Sequence, residues 1–218
     1  MSTCAFTDNF VRKHDGYGSM TDATARPYHH GDLRRAVIET AMGMLDEEKG
    51  WQFTLREVAR RAGVSHAAPY KHFPDKAALL AEIALLGFDR LRAVTAEKPQ
   101  RAKSLRDAFF AMARAYVRFG TSNPALYRLM FSMEAGTPAD VHLNERALAA
   151  FGSLIELLQR GQAEGVLRRR DVRGQVAACW AQLHGITLLT IDGLLLPEKV
   201  GPKPLEAALA TLLEGLAK

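Results

Sequence analysis

Cysteine is scarce in this chain. Its 218 residues include only Cys4 and Cys179, which are far apart and belong to no CxxC pair. Two such residues cannot build a disulfide framework, and they lack the spacing of a zinc site. We therefore expect a protein of a reducing, intracellular compartment.

Long apolar segments are missing as well. The most apolar stretch, residues 177–196, contains Gln182, His184 and Asp192, which would be costly inside a bilayer. The N-terminus lacks the apolar centre of a signal peptide. These absences predict a cytoplasmic protein without a membrane partner.

Residues 1–27 are rich in Ser, Thr, Asp and Gly and show no sustained periodicity. Such a composition predicts a flexible N-terminal tail. Within it, Met20 is a candidate alternative start of translation.

Signatures of catalysis are absent from the sequence. It contains no HExxH motif, no glycine-rich phosphate loop and no GxSxG nucleophile elbow. His142 and Glu145 are three residues apart, but no second histidine follows at metal-binding spacing. The sequence therefore predicts a protein that is not an enzyme and has no catalytic residue, cofactor or metal.

The formal net charge of +5 is unevenly distributed along the chain. Residues 28–86 contain eight basic and eight acidic residues, whereas residues 87–218 contain eighteen and thirteen. Within residues 54–76, five basic residues stand against two acidic ones. A basic patch favours nucleic-acid binding, and in the N-terminal part only this short segment provides one.

Apolar residues recur at helical spacing from Gly31 onward, and no alternating β-branched run predicts a strand. In the first predicted helix, for example, Leu33, Val37 and Ala41 form one buried stripe. The pattern is typical of an all-α protein. The predicted helices are 32–48, 55–62, 66–72, one that Asp75 opens, 101–119, 124–133, 140–164, 172–195 and 203–217.

Residues 54–73, TLREVARRAGVSHAAPYKHF, contain two short predicted helices around a Gly-Val-Ser turn. Thr54 can cap the first helix, with Glu57 completing a capping box. Gly63 suits the left-handed residue that ends this helix, and Ala59 is small enough for the point where the helices touch. The pattern is that of a helix-turn-helix, whose second helix enters the DNA major groove.

The string AGVSHAAPYKHFPDKAALL at residues 62–80 resembles the DNA-binding head of the TetR family of repressors. Downstream, Trp180, His184 and Gly185 are similar to the Trp-His-Gly signature of one C-terminal subfamily. Pro69 departs from the pattern of the head, where an aliphatic residue is commoner, and it leaves the start of the second helix open.

The resemblance implies two helical domains. Residues 28–86 would be a three-helix helix-turn-helix domain that binds DNA, and residues 87–218 a larger helical domain for ligand binding and dimerisation. Double-stranded operator DNA, a small-molecule effector and a second copy of the chain are the implied partners.

The resemblance also implies which residues of the head touch DNA. Outward residues early in the recognition helix would reach base edges, namely Ser65, His66, Ala67, Ala68 and Lys71. Contacts to phosphates are implied for Thr54, Tyr70, His72 and Lys76. At least one of Arg56, Arg60 and Arg61 is expected on the DNA backbone. The alternatives are a core role for Tyr70 and ordinary solvated positions for His72 and the arginines.

Large apolar side chains are frequent at helical spacing in the C-terminal part. Such residues are more often core than pocket, but together they exceed what one helix needs, and the resemblance implies a ligand pocket among them. The candidate pocket residues are Phe109, Phe110, Tyr116, Tyr127, Met130, Phe131, Phe151, Trp180 and His184. The alternative for His184 is a structural histidine.

Residues 176–195 are apolar on more than one side, which indicates burial both by the chain's own core and by a partner subunit, and residues 205–216 form a second apolar stripe. The alternative is a helix that packs only within its own chain. The candidate dimer residues are Leu183, Thr187, Ile191, Leu205, Leu209 and Leu212. A two-fold dimer predicts a palindromic operator.

The sequence thus predicts a ligand-responsive transcriptional repressor that binds its operator as a homodimer and is released by a small, mainly apolar effector. The alternative is a helical ligand-binding or adaptor protein that binds no operator.

Overall fold

The computed structural model describes residues 30–47, 50–97, 102–135 and 138–217. Within these ranges the chain is helical and forms no strand, which confirms the predicted all-α fold. The predicted tail and Met20 lie outside the described residues. The helices are α1 (His30–Leu45), α2 (Leu55–Arg61), α3 (Lys76–Glu97), α4 (Leu105–Ser122), α5 (Pro124–Met130), α6 (Pro138–His142), α7 (Glu145–Ala149), α8 (Gly152–Ala163), α9 (Val172–Ile191), α10 (Pro197–Val200) and α11 (Pro204–Leu216).

In the N-terminal part, α1 packs against α2 and α3. Val37 and Ala41 of the predicted α1 stripe are inaccessible to solvent. The backbone N–H of Glu57 donates to Thr54 Oγ1 at 3.2 Å, which confirms Thr54 as the cap of α2. Gly63 follows this helix with φ +68°, a conformation that favours glycine.

The second helix of the motif is much shorter than predicted. Instead of an α-helix over residues 66–72, the chain forms a turn and then a 3-10 helix, Pro69–Lys71. Two of its backbone hydrogen bonds span three residues, as from the His72 N–H to the Pro69 carbonyl at 3.0 Å, and the Phe73 N–H reaches the same carbonyl over four residues at 2.9 Å. Pro69 is the physical reason, because it has no N–H to donate to Ser65 and continue an α-helical ladder.

Helix α3 connects the N-terminal and C-terminal parts. Asp75 caps it as predicted, since the Ala78 N–H donates to Asp75 Oδ1 at 2.8 Å. The helix then continues for 22 residues, so it crosses the predicted boundary between residues 86 and 87. The division into two domains stays a prediction.

In the C-terminal part, α4 packs between α3 and α9, and α9 also contacts α8 and α11. Two glycines allow neighbouring helices to approach closely. A Cβ atom at Gly87 would lie 2.6 Å from Met130 Sδ, and one at Gly120 would lie within contact distance of Thr187 Cγ2. Larger residues would separate these helices.

The prediction of one long helix over residues 140–164 is wrong. The structure divides this segment among α6, α7 and α8. Asn144 has an extended backbone, with φ −66° and ψ 141°, and its side chain accepts the Arg146 N–H at 3.0 Å. An asparagine in this role starts a new helix instead of continuing the previous one.

Helix ends also differ from the predictions. Helix α4 begins at residue 105 instead of 101, because Ser104 caps it by accepting the Asp107 N–H at 3.0 Å. Helix α9 ends at Ile191 instead of 195, and Gly193 follows with φ +67°. Helix α5 ends at Met130, three residues before the predicted end at residue 133.

Candidate DNA-binding surface and ligand cavity

The helix-turn-helix presents a polar surface that carries one aromatic ring. Ser65, His66, Ala67 and Lys71 are exposed, and Tyr70 is 50% exposed. Burying a large aromatic side chain is normally favourable, so this position of Tyr70 is not that of a core residue.

Two of the predicted DNA contacts are covered. Ala68 is only 8% exposed, so its methyl group packs into the protein and cannot reach a base edge on this surface. His72 is half-buried, and its Nε2 is buried without a hydrogen-bond partner. The resemblance implies an outward position for both residues, but they flank a 3-10 segment, in which the chain turns differently from an α-helix.

The two remaining phosphate candidates are accessible at least in part. Thr54 is exposed, and its oxygen is engaged in capping α2, which leaves the hydroxyl proton to donate. Lys76 is half-buried, with its ammonium group 5.7 Å from the centre of the Phe53 ring. This cation–π contact fixes the charge at the start of α3.

The three arginines of α2 differ in their partners. Arg61 pairs with both oxygens of Glu47 and also contacts Glu57 at 3.3 Å. These hydrogen bonds raise the pKa of Arg61 and lower that of Glu47. Among the described residues, Arg56 and Arg60 form no ion pair, so their charges remain available to a bound anion.

A chain of ion pairs links α1, α3 and α7. On α3, Glu82 contacts Arg34 of α1 at 3.0 Å and Arg146 of α7 at 3.0 Å. Arg146 also donates to Asp89, further along α3, at 2.5 Å, and these carboxylates raise its pKa. No pattern in the sequence indicates this network, because its directly paired residues are up to 64 positions apart.

In the C-terminal part, three polar side chains form a buried hydrogen-bonded row. The hydroxyl oxygens of Tyr116 and Tyr127 are 2.9 Å apart, and Tyr127 Oη is 2.7 Å from His184 Nδ1. The row joins α4, α5 and α9. Burial raises the pKa of Tyr116 to about 12 and also raises that of Tyr127, so both phenols stay neutral and can donate.

Aromatic rings surround this row. Phe131 lies 4.4 Å from His184 between ring centres and stacks on His142 at 5.8 Å. Burial lowers the pKa of both histidines, and that of His184 is lowered further by His142. His184 therefore has satisfied contacts within the protein, as the structural alternative for this residue requires.

A cavity of about 30 Å³ lies beside the aromatic cluster. Three candidate pocket residues line it, Tyr116, Phe151 and Trp180. The other lining residues are Thr95, Met112, Ala150, Leu154 and Leu183. The volume suits one or two water molecules, far less than the several hundred Å³ of a typical ligand site.

The other candidate pocket residues do not line this cavity. Phe109 and Met130 are buried in the core, at 1% and 0% exposure. Phe110 lies beneath the guanidinium groups of Arg106 and Arg114, at 4.9 and 5.3 Å from the ring centre. Helical spacing identifies the buried face of each helix, but it does not say which buried residues meet at a void.

The candidate dimer residues divide into two groups. Leu183, Thr187 and Leu209 are at most 2% exposed within the single chain, so they belong to its own core and cannot reach a partner's surface. Ile191, Leu205 and Leu212 retain some exposure. Exposed small residues on α9 include Ala177 and Ala181.

No helix within the described ranges is both long and apolar enough to cross a membrane. A helix-turn-helix segment followed by a larger helical part with a small cavity is the arrangement of helical DNA-binding transcription regulators.

Comparison with known proteins identifies the family. Residues 38–83 match bacterial regulatory proteins of the tetR family, and residues 109–216 match the tetracyclin repressor-like C-terminal domain. The chain belongs to the TetR family of transcription regulators. The Trp-His-Gly subfamily assignment stays a prediction.

Solved structures share the fold over most of the chain. A protein of unknown function from Rhodococcus sp. RHA1 is 35% identical, with a TM-score of 0.77 over 88% of this chain and 100% of that one. The TetR family transcriptional regulator PfmR from Thermus thermophilus is 25% identical, with a TM-score of 0.60 over 84% and 99% of the two chains. A TetR family regulator from Marinobacter aquaeolei is 18% identical, with a TM-score of 0.62 over 86% and 97%.

Proposed function

We propose that this protein is a transcriptional repressor that binds a palindromic operator as a homodimer and is released by a small, mainly apolar effector. The observation that carries the DNA-binding part is the half-exposed Tyr70 beside Lys71 on the helix-turn-helix surface. An aromatic residue with a phenolic donor, next to a cation, suits contact with a DNA backbone.

The proposed DNA surface follows from exposure and charge pairing. Ser65, His66, Ala67 and Lys71 read base edges, while Thr54, Tyr70 and Lys76 hold phosphates. Arg56 and Arg60 add phosphate contacts, because their charges are unpaired among the described residues. Ala68 is left out, and the phosphate contact of His72 requires its buried Nε2 side to turn outward or its other ring nitrogen to donate.

Two neighbouring arginines provide a matched test of this surface. Arg60→Gln removes a free charge, whereas Arg61→Gln removes one that is already paired with Glu47 and Glu57. In fluorescence anisotropy with the gene's own upstream DNA, Arg60→Gln should weaken binding and lower the salt slope by about one. Arg61→Gln should change the slope much less, and equal slopes for both variants would contradict the assignment.

The proposed dimer forms through α9 and α11. Ile191, Leu205 and Leu212 remain the candidate contacts, together with the exposed small residues Ala177 and Ala181. An isologous pairing of these helices gives two heads related by a two-fold axis, which requires an inverted repeat in the operator. Sedimentation at micromolar concentration should show twice the chain mass of 24.0 kDa, and a species of the single-chain mass would refute the dimer.

The proposed release couples the cavity to the head through α7. Phe151, which lines the cavity, lies two residues after the end of α7, and Arg146 on α7 pairs with Glu82 and Asp89 of α3. Glu82 in turn holds Arg34 in α1. An effector that displaces Phe151 would move α7 and favour a head position that no longer fits DNA, to the extent that it binds this state more tightly.

The second candidate function is a ligand-binding or adaptor protein without operator binding. The shortened recognition segment at Pro69–Lys71 favours it, because less helix is available to enter a major groove. The same anisotropy experiment separates the two: retention of a specific DNA fragment in competition with unrelated DNA supports the repressor.

A further inference from the structure

The indole N–H of Trp180 is a polar group of the cavity wall that makes no hydrogen bond of normal geometry. Trp180 lines the cavity, and its Nε1 atom is buried without a hydrogen-bond partner. It lies close enough to Tyr116 to oppose the rise that burial causes in the pKa of that phenol, yet it makes no hydrogen bond of normal geometry. Because the indole nitrogen is only a donor and buried donors are almost always paired, it can donate to an acceptor placed in the cavity.

The other polar groups of the wall already have partners. The Thr95 hydroxyl donates to the Leu91 carbonyl at 2.9 Å, and the Tyr116 hydroxyl bonds to that of Tyr127. The remaining lining residues are apolar, and none of the lining residues is acidic or basic. A charged ligand would therefore be desolvated without compensation.

Phe151 is the side of the cavity that can open. Met112, Leu154 and Leu183 are at most 6% exposed, and they sit on the packed helices α4, α8 and α9. Phe151 is half-buried in the turn between α7 and α8, and its ring meets Trp180 edge to face at 5.4 Å. Its displacement would widen this partly open cavity and uncover the Trp180 indole.

We propose that the effector is a neutral, mainly apolar molecule with one acceptor oxygen, such as a ketone or ester carbonyl, that receives the Trp180 indole N–H after Phe151 is displaced. This assignment rests on the proposed function, because it names the chemistry of the effector. Small carbonyl compounds are its simplest probes.

The test uses three probes of similar shape: acetophenone, which has the acceptor; α-methylstyrene, which replaces the carbonyl oxygen by CH₂; and benzoate, which is charged. The chain has two tryptophans, so ¹⁵N–¹H spectra show two indole signals. Substituting Trp51→Phe assigns the signal of Trp180 without touching the cavity. Acetophenone should move the Trp180 indole proton downfield in a saturable manner.

The comparison among probes decides the chemistry. We expect α-methylstyrene to bind about tenfold more weakly than acetophenone, as the loss of one buried hydrogen bond predicts, and to cause no downfield shift. Benzoate should not bind. The Phe151→Ala variant should bind acetophenone more tightly, because the opening no longer displaces a ring.

The proposal is overturned if acetophenone at its solubility limit leaves the Trp180 signal unchanged, if α-methylstyrene binds equally well, or if benzoate binds best. The measurement needs no DNA, so its outcome is separate from that of the proposed function. Acetophenone could give the expected downfield shift of the Trp180 indole proton while no probe changes DNA binding. That result would refute release of DNA by an effector at this site, but it would still support the hydrogen bond to Trp180.

Discussion

The close packing of α4 against α9 can be tested by adding a single Cβ atom at Gly120. Gly120 on α4 is buried, and a Cβ there would collide with Thr187 Cγ2 and lie 3.0 Å from Tyr127 Cδ2. Thr187 is held by its hydrogen bond to the Leu183 carbonyl at 2.7 Å. Tyr127 is fully buried and bonded on both sides, to Tyr116 and His184. Neither neighbour can move without losing contacts.

The Gly120→Ala variant should therefore be destabilised. Overpacking costs about 1–3 kcal/mol, and the rigid neighbours place the cost near the upper end of that range. The gain in helix propensity from glycine to alanine offsets about 1 kcal/mol. We expect a net loss of about 2 kcal/mol in the free energy of unfolding.

Gly43→Ala is the matched control, since Gly43 is exposed on α1 and no atom lies within 4 Å of a Cβ built there. This variant should gain up to about 1 kcal/mol. Urea unfolding followed by circular dichroism, at one fixed protein concentration, measures both changes. Equal stability of the two variants, or a more stable Gly120→Ala protein, would show that the contact between α4 and α9 leaves room for a Cβ at Gly120.

Three further predictions concern stability. Burial lowers the pKa of His142 and that of His184 below the ordinary value of 6.5, so the folded state favours the neutral forms. Thermal stability should therefore fall as the pH drops below about 6.5. A thermal stability that does not change with pH in this range would contradict the prediction. Thr54→Ala should cost about 1 kcal/mol through loss of the α2 cap, while Thr54→Ser should cost little. A double-mutant cycle of Glu82→Gln and Arg146→Gln should give a coupling of up to about 1 kcal/mol, and zero coupling would remove this pair from the link between α3 and α7.

Local signals explain why much of the head could be predicted. Thr54, Gly63 and Asp75 act through hydrogen bonds or backbone conformations within three residues of themselves. Such effects depend little on the rest of the fold. The same holds for the buried stripe of α1, whose spacing alone marks the inward face.

In the recognition segment, a single residue shortens the helix that the sequence motif predicts. The residues around Pro69 match a helix-turn-helix, yet the proline removes the N–H that an α-helix would need there. The departure is visible in the sequence, but its extent, a single 3-10 turn with Ala68 turned inward, depends on how the segment packs.

The cavity and the ion-pair network could not be predicted because they depend on distant residues. Leu183, Thr187 and Leu209 have the spacing of an apolar helix face, and spacing does not reveal whether the chain itself or a partner covers that face. Glu82 meets Arg34 and Arg146 only after α1, α3 and α7 have packed. Thr95 likewise lines the cavity only because the packing of the helices brings it beside residues that are distant in the sequence.

Selection of DNA from a random-sequence pool by the full-length protein tests whether the chain binds an operator as a homodimer. We expect enrichment of an inverted repeat whose two halves lie about one helical turn apart, as a two-fold dimer with two heads requires. We also expect Tyr70→Ala and Lys71→Ala to weaken binding to the enriched sequence. Failure to enrich any sequence, or enrichment of a single half-site bound by one chain, would contradict a homodimeric operator-binding regulator.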